Sequence, residues 1–143
     1  MRSAALLGAL VALVVGCGAS HAPSPESVAR QWSAALNRND NEAAAKLFAG
    51  DAIIVQGGEM KLATHADAVR WNAGLPCGGQ IVLLQPQGTS GDVLVVFRLQ
   101  ERPQHRCDAP GARAAALFSV RDGKIVLWHQ TNPPPPDSAQ LSA

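Results

Sequence analysis

The chain has 143 residues, 47% of them hydrophobic and 16% charged, with 12 Lys and Arg against 11 Asp and Glu. That length is enough for one domain with a sizeable core. So even a charge balance excludes a nucleic-acid binder and a polybasic membrane-surface binder, both of which need clustered Lys and Arg.

The first segment in chain order lies outside the fold. Met1-Arg2-Ser3 is followed by an unbroken apolar run from Ala4 to Val15 and then Gly16-Cys17. One positive charge, a short apolar stretch and a small residue at the cut site describe a secretory signal peptide over residues 1–16. The run is about a dozen residues, too short for a bilayer, which takes roughly 20. Val14-Val15-Gly16-Cys17 resembles the lipobox of bacterial lipoproteins, in which the cysteine is acylated and becomes the mature N-terminus. The resemblance implies an extracytoplasmic protein of the cell envelope, held to the lipid bilayer through acylated Cys17. A plain secreted protein cut after Ala22 is the rival, but Pro23 would then sit just past the scissile bond. Loss of residues 1–16 removes Arg2 and leaves as many basic as acidic residues, so attachment would rest on the lipid alone. Residues 17–24 read as a tether, whose Gly18 to Ser24 part reaches on the order of 23 Å when extended.

Residues 25–131 carry the domain pattern. Ser24 is an N-cap, Pro25 suits the first helical position, and Val28, Trp32, Ala35 and Leu36 recur at helical spacing. Asn39 with Glu42 predicts the cap of a second helix running through Ala43, Leu47 and Phe48, closed by Gly50. Asp51 to Gln56 predicts a strand turned by Gly57-Gly58. Thr64 and Asp67 predict the cap of a third helix holding Ala68, Val69, Trp71 and Asn72 and stopped by Gly74 and Pro76. The period then changes to that of strands. Gln80 to Gln85 and Asp92 to Gln100 form one hairpin, Arg113 to Arg121 and Lys124 to Gln130 a second around Asp122-Gly123. Arg102 to Gly111 reads as a loop between them, and 132–143 as a Pro-rich disordered tail. Helices early and strands late predict an α+β fold, with three helices packed on a strongly curved, mainly antiparallel sheet.

A two-residue Asp122-Gly123 turn would set Val120 opposite Ile125, Phe118 opposite Leu127 and Ala116 opposite His129. That register turns His129 inward and leaves Leu117, Val126 and Trp128 on the outer face; a slip of one residue reverses both assignments. The first hairpin, turned at Thr89-Ser90, brings Cys77 near Arg102. With Cys17 taken by lipid, Cys77 and Cys107 remain as a pair in an oxidising compartment, and a disulfide is favoured. A metal site is the alternative, but neither cysteine lies in a C-x-x-C pair and His105 alone is a thin complement.

The two opening helices from Glu26 to Phe48, the Gly50-Asp51-Ala52-Ile53-Ile54-Val55 strand entry, the third helix and the final Asp122-Gly123-Lys124-Ile125-Val126 hairpin together resemble the nuclear transport factor 2-like superfamily, in its SnoaL-like branch. The resemblance covers about residues 25–131. It implies a cone in which a bent sheet wraps the helices around a pocket, and self-association through the outer sheet face. It implies no one activity, because the superfamily holds cyclases, an isomerase, dehydratases and members without known activity.

The isomerase and dehydratase types use a tyrosine hydroxyl, and this chain has no tyrosine. The cyclase type uses an acid/base aspartate, which matches no strand position here. His129 is the best polar candidate for acid/base work, weighed against an ordinary histidine bonded to backbone. Trp32, Trp71, Phe97 and Phe118 are expected inside, as pocket wall or plain core, and Met60 with them. Arg98 is expected to face solvent, Asp67 to cap its helix and His65 to be exposed. Gly57-Gly58 and Gly78-Gly79 lack the context of a phosphate loop, and no motif asks for a metal or cofactor. These features point to a small apolar ligand bound without chemistry or to a protein-contact role, homodimerisation included. The alternative is a SnoaL-like enzyme acting on a hydrophobic carbonyl compound with His129 as acid/base.

Overall fold

A computed structural model describes Gly18 and residues 20–137; the expected signal peptide, Cys17 and the end of the tail lie outside the described residues. Three helices come first with two strands among them: α1 (Pro25–Asn37), α2 (Asn41–Ala45), β1 (Phe48–Val55), β2 (Glu59–Leu62) and α3 (His65–Gly74). Four more strands follow: β3 (Gly78–Gln87), β4 (Asp92–Gln100), β5 (Arg113–Arg121) and β6 (Lys124–Thr131). They form one six-stranded sheet in the order β2-β1-β6-β5-β4-β3. Every pairing is antiparallel except that of β1 with β6. The α+β arrangement is the one the sequence pattern predicts.

Local signals set the helix starts. The Ser24 side chain accepts from the Ser27 N–H, with Pro25 in the first turn. Thr64 and Asp67 form a complete capping box, each side chain bonding the other's backbone N–H. The second helix differs from expectation. Asn39 does not cap it; with φ of 59° it ends α1 in the left-handed region, and Asp40 accepts from the Ala43 N–H instead. The helix stops at Ala45, and Phe48 belongs to β1, because Phe48 pairs with Ile125 and the Ile125 N–H bonds the Leu47 carbonyl. Strand β2 had no sequence signal: Glu59-Met60-Lys61-Leu62 lacks a β-branched residue, and only its pairing with β1 makes it a strand.

Two of the three register irregularities in the sheet bear on which side chains of β3 and β6 face the helices. In β3, Gln87 lies opposite Asp92 as the expected turn requires, but past Val82 the register shifts and Ile81 pairs with Phe97. In the last hairpin Arg121 pairs with Lys124 and Val120 with Ile125, again as expected. Val126 is then an extra residue, so Ser119 pairs with Leu127, Phe118 with Trp128 and Leu117 with His129. The inward set on β6 is therefore Ile125, Trp128 and Gln130. Trp128 is 6% exposed and His129 only half-buried.

The core lies between α1 and the inner sheet face. Val28, Trp32 and Leu36 meet Ile54, Val93, Val95, Phe118 and Ile125. Trp32 sits at its centre, with ring centroids of Trp71, Phe97, Phe118 and Trp128 at 5.3–6.3 Å. Its indole N–H donates to Asn72 Oδ1 at 2.8 Å, and the Asn72 amide donates to the Ala68 carbonyl, which ties α1 to α3.

The loop from Glu101 to Ala112 is held from both ends. Cys107 is joined to Cys77 in a disulfide that spans 30 residues of chain. Arg102, 3% exposed, donates to the carbonyls of Asn72 and Leu75 and to the side-chain oxygens of Asn39 and Asn41. All four partners are neutral, and burial lowers the guanidinium's pKa. This residue locks the end of α3 to the α1–α2 turn. Past β6, Arg113 donates to the Pro134 carbonyl, which pins the start of the tail.

Candidate functional site

A cavity of about 330 Å³ opens between α1 and the inner sheet face. Small residues create it: Ala114 and Ala116 on β5 and Gly78-Gly79 at the start of β3 leave room that larger side chains would fill. The glycines also bring β3 against α1. Asn37 bonds both the N–H and the carbonyl of Gly79, Ser33 donates to the same carbonyl, and a Cβ on Gly79 would lie 2.9 Å from the Phe97 ring.

The walls are mainly apolar. Trp32 and Leu36 come from α1, Phe97 and Leu99 from β4, Trp128 from β6 and Leu75 from the segment after α3. Polar groups are few: Ser33, Gln56, Gln130 and Asp108, the last on the loop beside the disulfide. Asp108 is the one ionisable side chain among the described lining residues. It is exposed, and its Oδ1 lies 3.3 Å from Cys77 Sγ. A disulfide sulfur has no hydrogen, so this is a contact and not a hydrogen bond. Trp128 Nε1 is buried without a hydrogen-bond partner.

The residues singled out in the sequence are distributed as follows. Trp32 and Phe97 line the cavity. Phe118 is wholly buried beneath Trp32 and Trp128, and Trp71 stacks on Trp32 and borders a shallower groove with Ile54 and Met60. The inward placement of His129 is wrong: the Val126 bulge turns it to the outer face, where it borders a shallow depression with Val55, Gly57 and Gly58. Trp128, expected outside, takes the inward position for the same reason. Met60 is exposed, not interior, because β2 is the sheet edge. Arg98 is exposed, and His65 bonds Glu42 at 2.7 Å on the surface. Gln56, Gln130 and Asp108 were missed. Gln130 follows from the true register, whereas nothing local marks the other two.

Cys77, Cys107 and Asp108 have their ligand atoms within 4.8 Å of one another. With the sulfurs joined, neither is a thiolate, and Asp108 alone makes no metal site.

No family model matches the chain, and no curated protein matches it in sequence. Solved structures do match in shape. An NTF2-like protein from Cytophaga hutchinsonii is 14% identical, with 78% of this chain and 91% of that one covered at a TM-score of 0.61. A Sinorhizobium meliloti protein with the provisional name polyketide cyclase is 17% identical over 73% and 93%, at 0.60. A protein of ketosteroid isomerase-like fold from Catenulispora acidiphila, solved with trimethylamine, is 20% identical over 77% and 87%, at 0.57. The fold of this chain is thus the NTF2-like cone. At such identities the likeness extends to fold alone.

Proposed function

We propose that this protein is a lipid-anchored extracytoplasmic domain that binds a small, largely apolar ligand in the cavity between α1 and the sheet and performs no chemistry on it. The cavity carries the reading: about 330 Å³, walled by Trp32, Phe97, Trp128 and aliphatic side chains, with few polar groups. The enzymatic alternative loses its acid/base group, since His129 lies on the opposite sheet face. Anchoring rests on the Val14-Val15-Gly16-Cys17 sequence. The Cys77–Cys107 disulfide is compatible with an oxidising compartment, and no helix among the described residues is long and apolar enough to cross a membrane.

Native mass spectrometry of the exported domain, compared with the denatured sample, tests the pocket. An added mass lost on denaturation supports it; a bare chain that also leaves the tryptophan fluorescence unchanged with apolar ligands refutes it. Growth with an alkyne-labelled fatty acid tests the anchor: label should reach the wild-type chain and vanish in Cys17→Ser.

A second reading concerns the outer sheet face, where Leu94, Leu117, His129 and Val55 form a half-buried row across four strands. A second copy of the chain is the proposed partner there. Trp128, turned inward, has no part in it. A sedimentation profile of a strict monomer at high concentration would remove this reading.

A further inference from the structure

Resting on the cavity reading above, we infer that the ligand is a small organic cation, an alkylated ammonium, held with its charge toward Asp108 and its alkyl groups against Trp32, Phe97 and Trp128. Three features of the cavity carry this.

The first is the sign of its charge. Among the described residues lining the cavity, Asp108 is the one ionisable group, and no lysine, arginine or histidine is present. The second is that Asp108 is unspent. No cation among the described residues lies within salt-bridge distance of its carboxylate, and its one close contact is a disulfide sulfur that cannot donate. An anionic ligand would face that carboxylate without a compensating donor of positive charge. The third is the aromatic wall. Aromatic faces attract cations through their ring quadrupole, and cages of aromatic side chains are suited to ammonium groups whose alkyl substituents cannot hydrogen-bond.

Arg102 lies close to the cavity, its Cβ behind Gly78. Its terminal nitrogens are taken up by two carbonyls and two asparagine oxygens, so its charge is directed into the loop–helix junction and away from the role of an anion receptor. The remaining polar lining, Ser33, Gln56 and Gln130, is neutral and imposes no preference of sign.

The test compares two probes of matched shape and opposite character, choline and its uncharged carbon isostere 3,3-dimethylbutan-1-ol. Binding is followed by calorimetry and by the fluorescence of Trp32 and Trp128, on the exported, disulfide-bonded domain. The inference expects choline to bind about ten-fold tighter than the isostere and Asp108→Asn to abolish most of that difference. Asp51→Asn, outside the cavity, should leave it intact. Circular dichroism of Asp108→Asn verifies the fold, and because Asp108 is an exposed loop residue the variant should melt like wild type. Equal affinity for the two probes overturns the cation while leaving an apolar pocket standing. A choline preference that survives Asp108→Asn also overturns it, because the charge is then read elsewhere. Binding of neither probe overturns it as well; whether the pocket holds any ligand is decided separately by the native mass measurement.

Discussion

Replacing Arg102 by methionine keeps the length and much of the volume of the side chain and deletes its charge and donors. In the folded protein four hydrogen bonds are lost; the Leu75 carbonyl and the Asn41 side-chain oxygen are left without a donor, while the Asn72 carbonyl keeps the Leu75 N–H and Asn39 Oδ1 keeps the Asn41 amide and the His105 ring. Hydrogen bonds to a charged group are worth about 1.5–3 kcal/mol each, so the gross loss is several kcal/mol. Relief of the guanidinium's desolvation offsets part of it, since that burial costs several kcal/mol with no carboxylate to repay it. The net expectation is a loss of about 3 kcal/mol, the low end for stranding buried polar groups. For a domain of this size that is a fall in melting temperature of about 12 °C, read by circular dichroism with urea midpoints as a second measure. Arg102→Lys should recover less than half, because a point-like ammonium cannot span acceptors on both the α3 end and the α1–α2 turn. A methionine variant melting within about 2 °C of wild type would refute the view of this residue as the lock between loop and helices.

Gly79→Ala should cost about 1–3 kcal/mol by driving a methyl into the Phe97 ring; Gly74→Ala, with nothing within 4 Å, should be nearly neutral in the same urea titration. Reduction of the Cys77–Cys107 bond should lower stability by about 3 kcal/mol for its 30-residue separation, seen as a shifted thermal melt with and without a dithiol reductant. Bonds from Thr64 hold the Asp67 carboxyl below its ordinary value, and bonds from Ser119, with help from Ser90 and Arg121, do so for Asp92. The folded chain therefore binds fewer protons than the unfolded one. Their contribution is fully present above the ordinary carboxylate pKa and is lost as pH falls through the lowered values. Melts should decline below about pH 4, and less steeply in Asp92→Asn.

What the sequence discloses here depends on how local each cause is. Ser24, Pro25, Thr64 and Asp67 act within one helical turn, and the helix starts they predict are the observed ones. Asp122-Gly123 likewise fixes the two residue pairs nearest the turn. Failures begin where a distant partner decides. Leu47 and Phe48 read as helix until β6 is known to lie beside them, and β2 exists only as the neighbour of β1. The candidate site suffered most from one residue: a single extra position at Val126 exchanges Trp128 with His129 and so replaces a titratable group in the cavity with an indole. Arg102 looked like one more polar residue in a proline-containing loop, because its four acceptors come from two distant segments, the end of α3 and the α1–α2 turn.

The parallel pair of β1 and β6 also governs when this domain can come into being. β6 is the last strand among the described residues, yet it lies inside the sheet with β1 on one side and β5 on the other. Until Thr131 is available, the β1–β2 hairpin has nothing to pair with, and a two-stranded hairpin alone is marginal in water. An emerging chain can assemble the β3–β4 hairpin early, from local contacts, but closure of the core waits for the C-terminal strand. This connectivity keeps the core of the domain open until β6 has emerged, so completion of the fold coincides with the arrival of that strand.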